Sequence, residues 1–342
     1  MLNDMTVVDF TQQLPGPYAT ALLRNLGARV IKVEPPKGDP SRALDPAMFD
    51  RVNVGKESIT LDLKSDPDRE AALRLIAACD MVVESFRPGV MDRLGVGWEA
   101  CRAVNPRVVF CSVSGFGRVG PYAKVPVHDL NLMAWGDPAG ARRMSGRIGV
   151  PWVDLGAGTM AALEMVSAWT TAKSTGTGAR LDVSMMDIAL SWSRIKPPRP
   201  GSEPSYGVYL TSDEREVIVA ILEDHFWAHL CQALDLEDLV NDPSLATYEE
   251  RLGRAEELNG RISARIAQLA LDEVMQLARE YDVPVTTLDP RDDEQALSQL
   301  RIAGFAPDDF SRGSSAATAG VDQVPGLGEH TIEVLAEFGV TS

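Results

Sequence analysis

The stretch "MTVVDFTQQLPGPYATALLRNLGARVIKVEPP", residues 5–36, changes hydrophobic period twice. "MTVVDF" is a short β-branched run and reads as a strand. "PGPYATALLRNLGA" follows, with Pro near the start and Gly at the end of a helical apolar pattern. "RVIKVEPP" is again β-branched and is closed by two prolines. Strand, helix and strand within about 30 residues make a βαβ unit, which implies a parallel sheet.

The alternation continues beyond this unit. "SITLDL", "DMVVES", "RVVFCSVSGFG" and "GARLDVSM" read as strands. Between them, "DPDREAALRLIAAC" reads as an Asp-capped amphipathic helix and "WEACRAVNP" as a short one. "GAGTMAALEMVSAWTTA" is apolar on most sides and is expected to be a long buried helix; "MMDIALSWSR" starts another. The fold class is therefore α/β with a parallel sheet. At 342 residues the chain is long enough for about two domains. Composition shifts to Pro, Gly and Ser at 196–207, which reads as a linker between a large domain, 1–195, and a smaller α+β domain, 208–310. In the latter, "YGVYLTSDEREVIVAIL" reads as a hairpin turned at "SDER". "EDHFWAHLCQAL", "TYEERLGRAEELNGRISARIAQL" and "LDEVMQLAREY" read as helices. Residues 311–342 end in a helical pattern expected to return to the large domain.

Charge narrows the partners. Residues 1–200 carry 24 Lys and Arg against 21 Asp and Glu; residues 201–342 carry 9 Arg, no Lys and 28 acidic residues. No basic face is offered to nucleic acid, and an anionic ligand is expected in the N-terminal part. No apolar run spans a membrane, and no signal peptide is evident at "MLNDMTVVDF". Cys79, Cys101, Cys111 and Cys231 are scattered without CxxC spacing, which argues against a disulfide framework or zinc and for a reducing, cytoplasmic setting.

Glu34 ends the second strand where a ribose-binding acid would sit, but the preceding turn is "TQQLPGPYA", not GxGxxG, so a dinucleotide is not expected. Lys32, Lys56 and Arg87 lie in or beside small-residue loops, and Gly115 and Gly117 punctuate "SVSGFGRVGPYA". Such loops with nearby cations suit a phosphate-bearing ligand. In "KVPVHDLNLMAWGD", His128 stands before a helical run, either as a cap or as an acid–base group; Asp154 precedes "LGAGTMAAL" in an N-cap position. His225 and His229 are four apart but lack an obvious third ligand, so no metal site is expected. Met185 and Met186 suit core packing or an acyl pocket.

"LPGPYATALLRNLGARVIKVEPP", "NVGKESITLDLKS", "VVESFRPGVMDRLGVGWEACRAVNPRVVFCSVSGFGRVGPYA" and "STGTGARLDVSMMD" resemble the family III CoA-transferases, which include the α-methylacyl-CoA racemases. The resemblance implies a Rossmann-like CoA-binding domain, an intertwined homodimer, and an acyl-CoA thioester substrate, with no cofactor required and the CoA moiety bound as part of the substrate. Within the family, "HDLN" at His128, Asp154 and Glu223 in "AILEDHFW" match the racemase pattern. The first expectation is thus a 2-methylacyl-CoA racemase: His128 and Asp154 exchange a proton on opposite faces of the α-carbon, Glu223 orients the imidazole, and the Gly-rich helix start after Asp154 supplies donors to the enolate oxygen. The alternative is a CoA-transferase with Asp154 as nucleophile. A third reading is a CoA-binding protein without catalysis. It is suggested by shortened segments between His128 and Asp154 and after Asp187; separately, Val54 and Glu57 stand where the family pattern is basic, a change expected to weaken phosphate binding.

Overall fold

The computed structural model describes residues 1–143, 149–195, 201–288 and 323–340, together with 298, 302, 305–306 and 311–312. The chain divides into two compact units, Met1–Pro198 with Leu300–Ser342, and Arg199–Gln299. Residues 196–200 of the expected linker lie outside the described residues, and Tyr206 already opens a strand.

The first unit begins with β1 (Thr6–Asp9), α1 (Pro15–Asn25) and β2 (Arg29–Glu34), the expected βαβ unit. Two short helices, α2 (Ser41–Leu44) and α3 (Pro46–Asn53), lead to β3 (Glu57–Thr60). Hydrophobic period does not foreshadow them. The available signal was Asp45 before Pro46, and the Asp45 carboxylate indeed accepts the Met48 N–H at 3.1 Å. Next come α4 (Asp66–Ala78), β4 (Met81–Glu84), α5 (Val90–Arg93), α6 (Trp98–Val104) and β5 (Val109–Ser114). Ser65 rather than Asp66 occupies the N-cap of α4, and Asp66 and Asp68 sit in its first turn, where the helix dipole favours them. Then α7 (Asp129–Gly136), α8 (Pro138–Arg143), α9 (Trp152–Thr175), β6 (Ala179–Ser184) and α10 (Met185–Ile195) complete the alternation.

The six strands are all parallel, in the order β3-β2-β1-β4-β5-β6. The chain winds outward from β1 to β3, then returns to the other side of β1. The order reverses between β1 and β4, and loops leaving the carboxyl ends of these strands diverge to open a crevice. Both sheet faces are covered, which is why the strands read as near-continuous Val and Ile runs. Val7, Val30, Val83 and Cys111 pack on one face with Leu23 of α1 and Ala157 and Met165 of α9. Val8, Ile31, Val82 and Phe110 pack on the other with Leu75 and Ile76 of α4. A methyl group on Gly158 would lie 2.7 Å from the Pro15 carbonyl oxygen, so glycine there lets α9 approach α1 closely. Helix α9 is less enclosed than its composition suggests, since Leu163 is exposed.

The C-terminal segment covers the β3 edge of the sheet. The His330 N–H donates to the Ser58 carbonyl at 2.9 Å and the Thr60 N–H to Thr331 Oγ1 at 3.0 Å. Helix Thr331–Glu337 follows, with Val334 buried. Arg29 ties it down by bonding both Glu57 (2.6 Å) and Glu337 (2.6 Å). The acidic residue that departs from the family pattern thus has a structural partner.

The second unit holds an antiparallel sheet of β7 (Tyr206–Leu210), β8 (Glu216–Ala220) and β9 (Val285–Thr287). Packed with it are α11 (Asp224–Ala233), α12 (Glu237–Val240), α13 (Tyr248–Leu252), α14 (Ala255–Ile266) and α15 (Leu271–Glu280). The single helix expected over 247–269 is broken at Gly253 and Arg254. No helix among the described residues is long and apolar enough to cross a membrane.

Two lysines expected to hold phosphate are instead sealed inside the first unit. Lys32 and Asp39, and Lys56 and Asp9, form ion pairs at 3.0 and 3.1 Å, with 0% side-chain exposure for all four. The Lys56 ammonium also donates to Thr20 Oγ1 (2.8 Å), Asn53 Oδ1 (2.9 Å) and the Pro17 carbonyl (3.0 Å). Lys32 donates to the Thr11 carbonyl at 2.9 Å. Neither ammonium faces solvent, so the phosphate role is withdrawn for both. Burial raises Asp9, but the charges of Lys56 and Lys32 overcome it and bring the carboxyl down to about 2. Burial pulls Lys56 down to about 8, so the Asp9–Lys56 pair is ionised at neutral pH. Lys56→Met, leaving Asp9 unpaired, is expected to cost about 3–5 kcal/mol in urea unfolding. A variant of wild-type stability with weakened acyl-CoA binding would restore the phosphate role.

Candidate active site

At the switch point the loops enclose a cavity of about 290 Å³. Gln12 and Gln13 enter it from the turn after β1; Ser85, Phe86 and Arg87 follow β4; Ser114 and Gly115 lie at the end of β5. Val125, Val127 and His128 form a wall leading into α7, and Asp154 and Met185 face the same space from α9 and α10. His128, Asp154, Arg87 and Gly115 are therefore brought together, as the sequence suggested.

His128 occupies the N-cap position of α7. At the cap the His128 N–H donates to the Asn131 side chain, Oδ1, at 3.0 Å, and the Asn131 N–H donates to the His128 carbonyl at 3.0 Å. The exposed ring stands at the cavity. Its neighbour Asp129 does the structural linking. One oxygen, Asp129 Oδ1, accepts the N–H groups of Val153 (2.9 Å) and Asp154 (3.0 Å), so the first turn of α7 caps the N-terminus of α9. Asp129 was not among the candidate residues, although its place beside His128 was the available signal.

Asp154 sits in the first turn of α9 and not at its N-cap, which is Pro151. Burial, and then the nearby Asp129 charge, raise its carboxyl to about 7. The helix start does not offer free donors for an enolate oxygen. Val153 and Asp154 donate to Asp129, Trp152 to the Val150 carbonyl and Leu155 to the Pro151 carbonyl. Gly156 and Gly158 lie within α9, packed against Trp192 and against Pro15 and Tyr18.

Arg87 is exposed at the cavity and makes no ion pair among the described residues. Gly115 is crowded against Val127, where a methyl group would meet Cγ1 at 2.2 Å. Gly117 does not line the cavity; it is buried in a turn with φ of 75° near Ser184. Met185 lines the cavity, whereas Met186 packs against the core. Glu223 belongs to the second unit, where it is exposed at the N-cap of α11. No group of three potential metal ligands occurs among the described residues.

The model of the family described as CoA-transferase family III matches residues 2–308. The chain belongs to this family. Among its relatives, an acetyl-CoA:oxalate CoA-transferase of Acetobacter aceti is 33% identical over 313 residues, covering 84% of this chain and 80% of the relative. A formyl-CoA:oxalate CoA-transferase of Bradyrhizobium sp. is 31% identical over 398 aligned positions, covering 98% and 93%. A CAIB/BAIF family protein from Brucella suis has the same fold, with a TM-score of 0.80, 28% identity, and coverage of 98% of this chain and 99% of that one. The family III assignment made from sequence motifs is thereby borne out. The relatives' names favour the transferase reading over the racemase reading placed first.

Asp154 links the cavity to stability. Its folded pKa, about 7, lies above its ordinary value of 3.8, so the folded state binds more protons between these values and loses stability as pH rises through them. Replacing it removes that loss. Asp154→Asn is expected to melt higher than the wild type at about pH 8, with the difference vanishing near about pH 4. Equal melting at both would show that the carboxyl ionises normally.

Proposed function

We propose that the chain is a CoA-transferase in which Asp154 is the nucleophile. The observation carrying this reading is the partly buried Asp154 carboxyl, raised to about 7, in the cavity at the strand switch point, within a family whose relatives named above move CoA between thioesters and carboxylates.

The chemistry needs no group beyond the protein and CoA. The Asp154 carboxylate attacks the thioester carbonyl of the donor. The tetrahedral species collapses, breaking the C–S bond, and leaves an acyl–Asp154 anhydride and CoA thiolate. The thiolate attacks the Asp154 carbonyl carbon, giving an Asp154–CoA thioester and releasing the donor acid as its carboxylate. An acceptor carboxylate attacks that thioester and forms a second anhydride with expulsion of thiolate. Thiolate attack on the new acyl carbonyl releases product and restores Asp154. Water would hydrolyse the anhydrides, and the apolar lining of Phe86, Val125, Val127 and Met185 limits its access. A raised pKa makes the carboxylate a better nucleophile while leaving a usable ionised fraction near neutrality.

In this reading Arg87, exposed at the cavity, meets a phosphate of CoA. The homodimer, and a role for Glu223 in it, rest on the family resemblance and are checked by light scattering and by a Glu223→Gln variant. His128 lines the same cavity as Asp154, and that juxtaposition is what favours the second reading, an α-proton exchange between imidazole and carboxyl.

Two measurements separate these readings. CoA transfer from an acyl-CoA to a free carboxylate is expected, with kcat/KM rising to a plateau through about pH 7 as Asp154 ionises. Asp154→Ala is expected to lower kcat on the order of 10³-fold or more. Exchange of the α-hydrogen with inversion, in deuterium oxide and without an acceptor, would overturn the transferase in favour of the racemase.

A further inference from the structure

Five non-glycine residues among those described have positive φ, and four of them, Ser205, Glu214, Asp235 and Asp282, belong to the second unit. The fifth is Gln13, with φ of 66°, in the wall of the cavity. A side chain in the left-handed region is strained and persists where its surroundings dictate it. Here they do. The Gln13 N–H donates to Asp39 Oδ1 at 3.4 Å, and Asp39 is locked by Lys32, which also holds the Thr11 carbonyl. The Gln12 N–H donates to Ser85 Oγ at 2.9 Å across the switch point. Both residues are partly buried, and neither carboxamide has a hydrogen-bond partner among the described residues.

We propose that the Gln12–Gln13 turn is the site that recognises the acceptor carboxylate, with Gln13 as the specificity-determining residue, and that the acceptor is a short aliphatic monocarboxylic acid. The inference rests on the transferase reading. Each carboxamide presents two N–H donors. A neutral donor orients a carboxylate without the tight bidentate pairing that arginine imposes, so an oxygen stays available for attack. The rest of the wall decides the class. Val113, Phe116, Val125, Val127 and Met185 are apolar, and Arg87 is the one lysine or arginine lining the cavity among the described residues. With Arg87 engaged by CoA, no lysine or arginine of the lining is left to neutralise a second carboxylate brought near the Asp154 carboxylate, whereas a methyl or ethyl group would be buried against the apolar wall.

The test uses the full chain with isobutyrate and oxalate as acceptors. Gln13→Gly removes the amide and relieves the backbone, so it is expected to melt at or above the wild type. Its KM for isobutyrate is expected to rise about tenfold, the loss of one charge-assisted hydrogen bond, with KM for the acyl-CoA donor within about twofold. Gln13→Ala, which keeps the strain, is expected to give the same split. An unchanged isobutyrate KM in both variants, or a wild type that prefers oxalate, overturns the proposal. Binding of the free acids is followed in parallel by saturation-transfer NMR. A wild type that binds isobutyrate through Gln13 but transfers no CoA defeats the transferase reading and leaves the carboxylate site standing; absence of isobutyrate binding defeats the site.

Discussion

Two ammonium groups buried beneath the turn after β1 fix the geometry of the active site. Lys56 gathers Asp9, Thr20, Asn53 and the Pro17 carbonyl, and Lys32 gathers Asp39 and the Thr11 carbonyl. Buried ion pairs are poor sources of net stability, because desolvation offsets their attraction. What they specify is conformation: a charge with no solvent to turn to accepts one arrangement of partners. Here that arrangement fixes the path of Phe10–Gly16 and holds Gln13 in a backbone conformation that it would not adopt alone.

The same logic operates at the far wall. Asp129 accepts two N–H groups from the first turn of α9, so the start of α7 and the start of α9 form one rigid corner. His128 and Asp154 are positioned by it. The corner also sets the electrostatics, because the charge that caps the helix adds to burial in holding a proton on Asp154. One carboxylate acts as scaffold and its neighbour becomes the reactive group, by environment alone.

The fold was legible in residues 5–36, since only a buried parallel strand accounts for "RVIKVEPP" after a helix with Pro at its start and Gly at its end. As residues of the cavity, His128 and Asp154 were legible through the family resemblance, and Arg87 and Gly115 through small-residue loops with a nearby cation. Lys32 and Lys56 were misassigned because a lysine beside a glycine reads alike whether it faces solvent or the core; strand register and the acids at positions 9 and 39 decide. Gln12 and Gln13 were missed because their value comes from strand order. Only once β4 is known to lie beside β1 does the turn after β1 become a wall of the crevice. The positive φ at Gln13 leaves no sequence trace, since glutamine carries no left-handed preference.

The central claim is that the Asp154 carboxylate becomes covalently bonded to substrate. The most direct measurement is a quenched turnover with an acceptor acid whose carboxylate carries oxygen-18, followed by mass spectrometry of the peptide containing Asp154. Attack on an Asp154–CoA thioester followed by anhydride cleavage delivers one heavy oxygen to the side chain, so that peptide is expected to gain one label. Turnover that labels the acyl-CoA product and leaves the Asp154 peptide unlabelled would contradict the account.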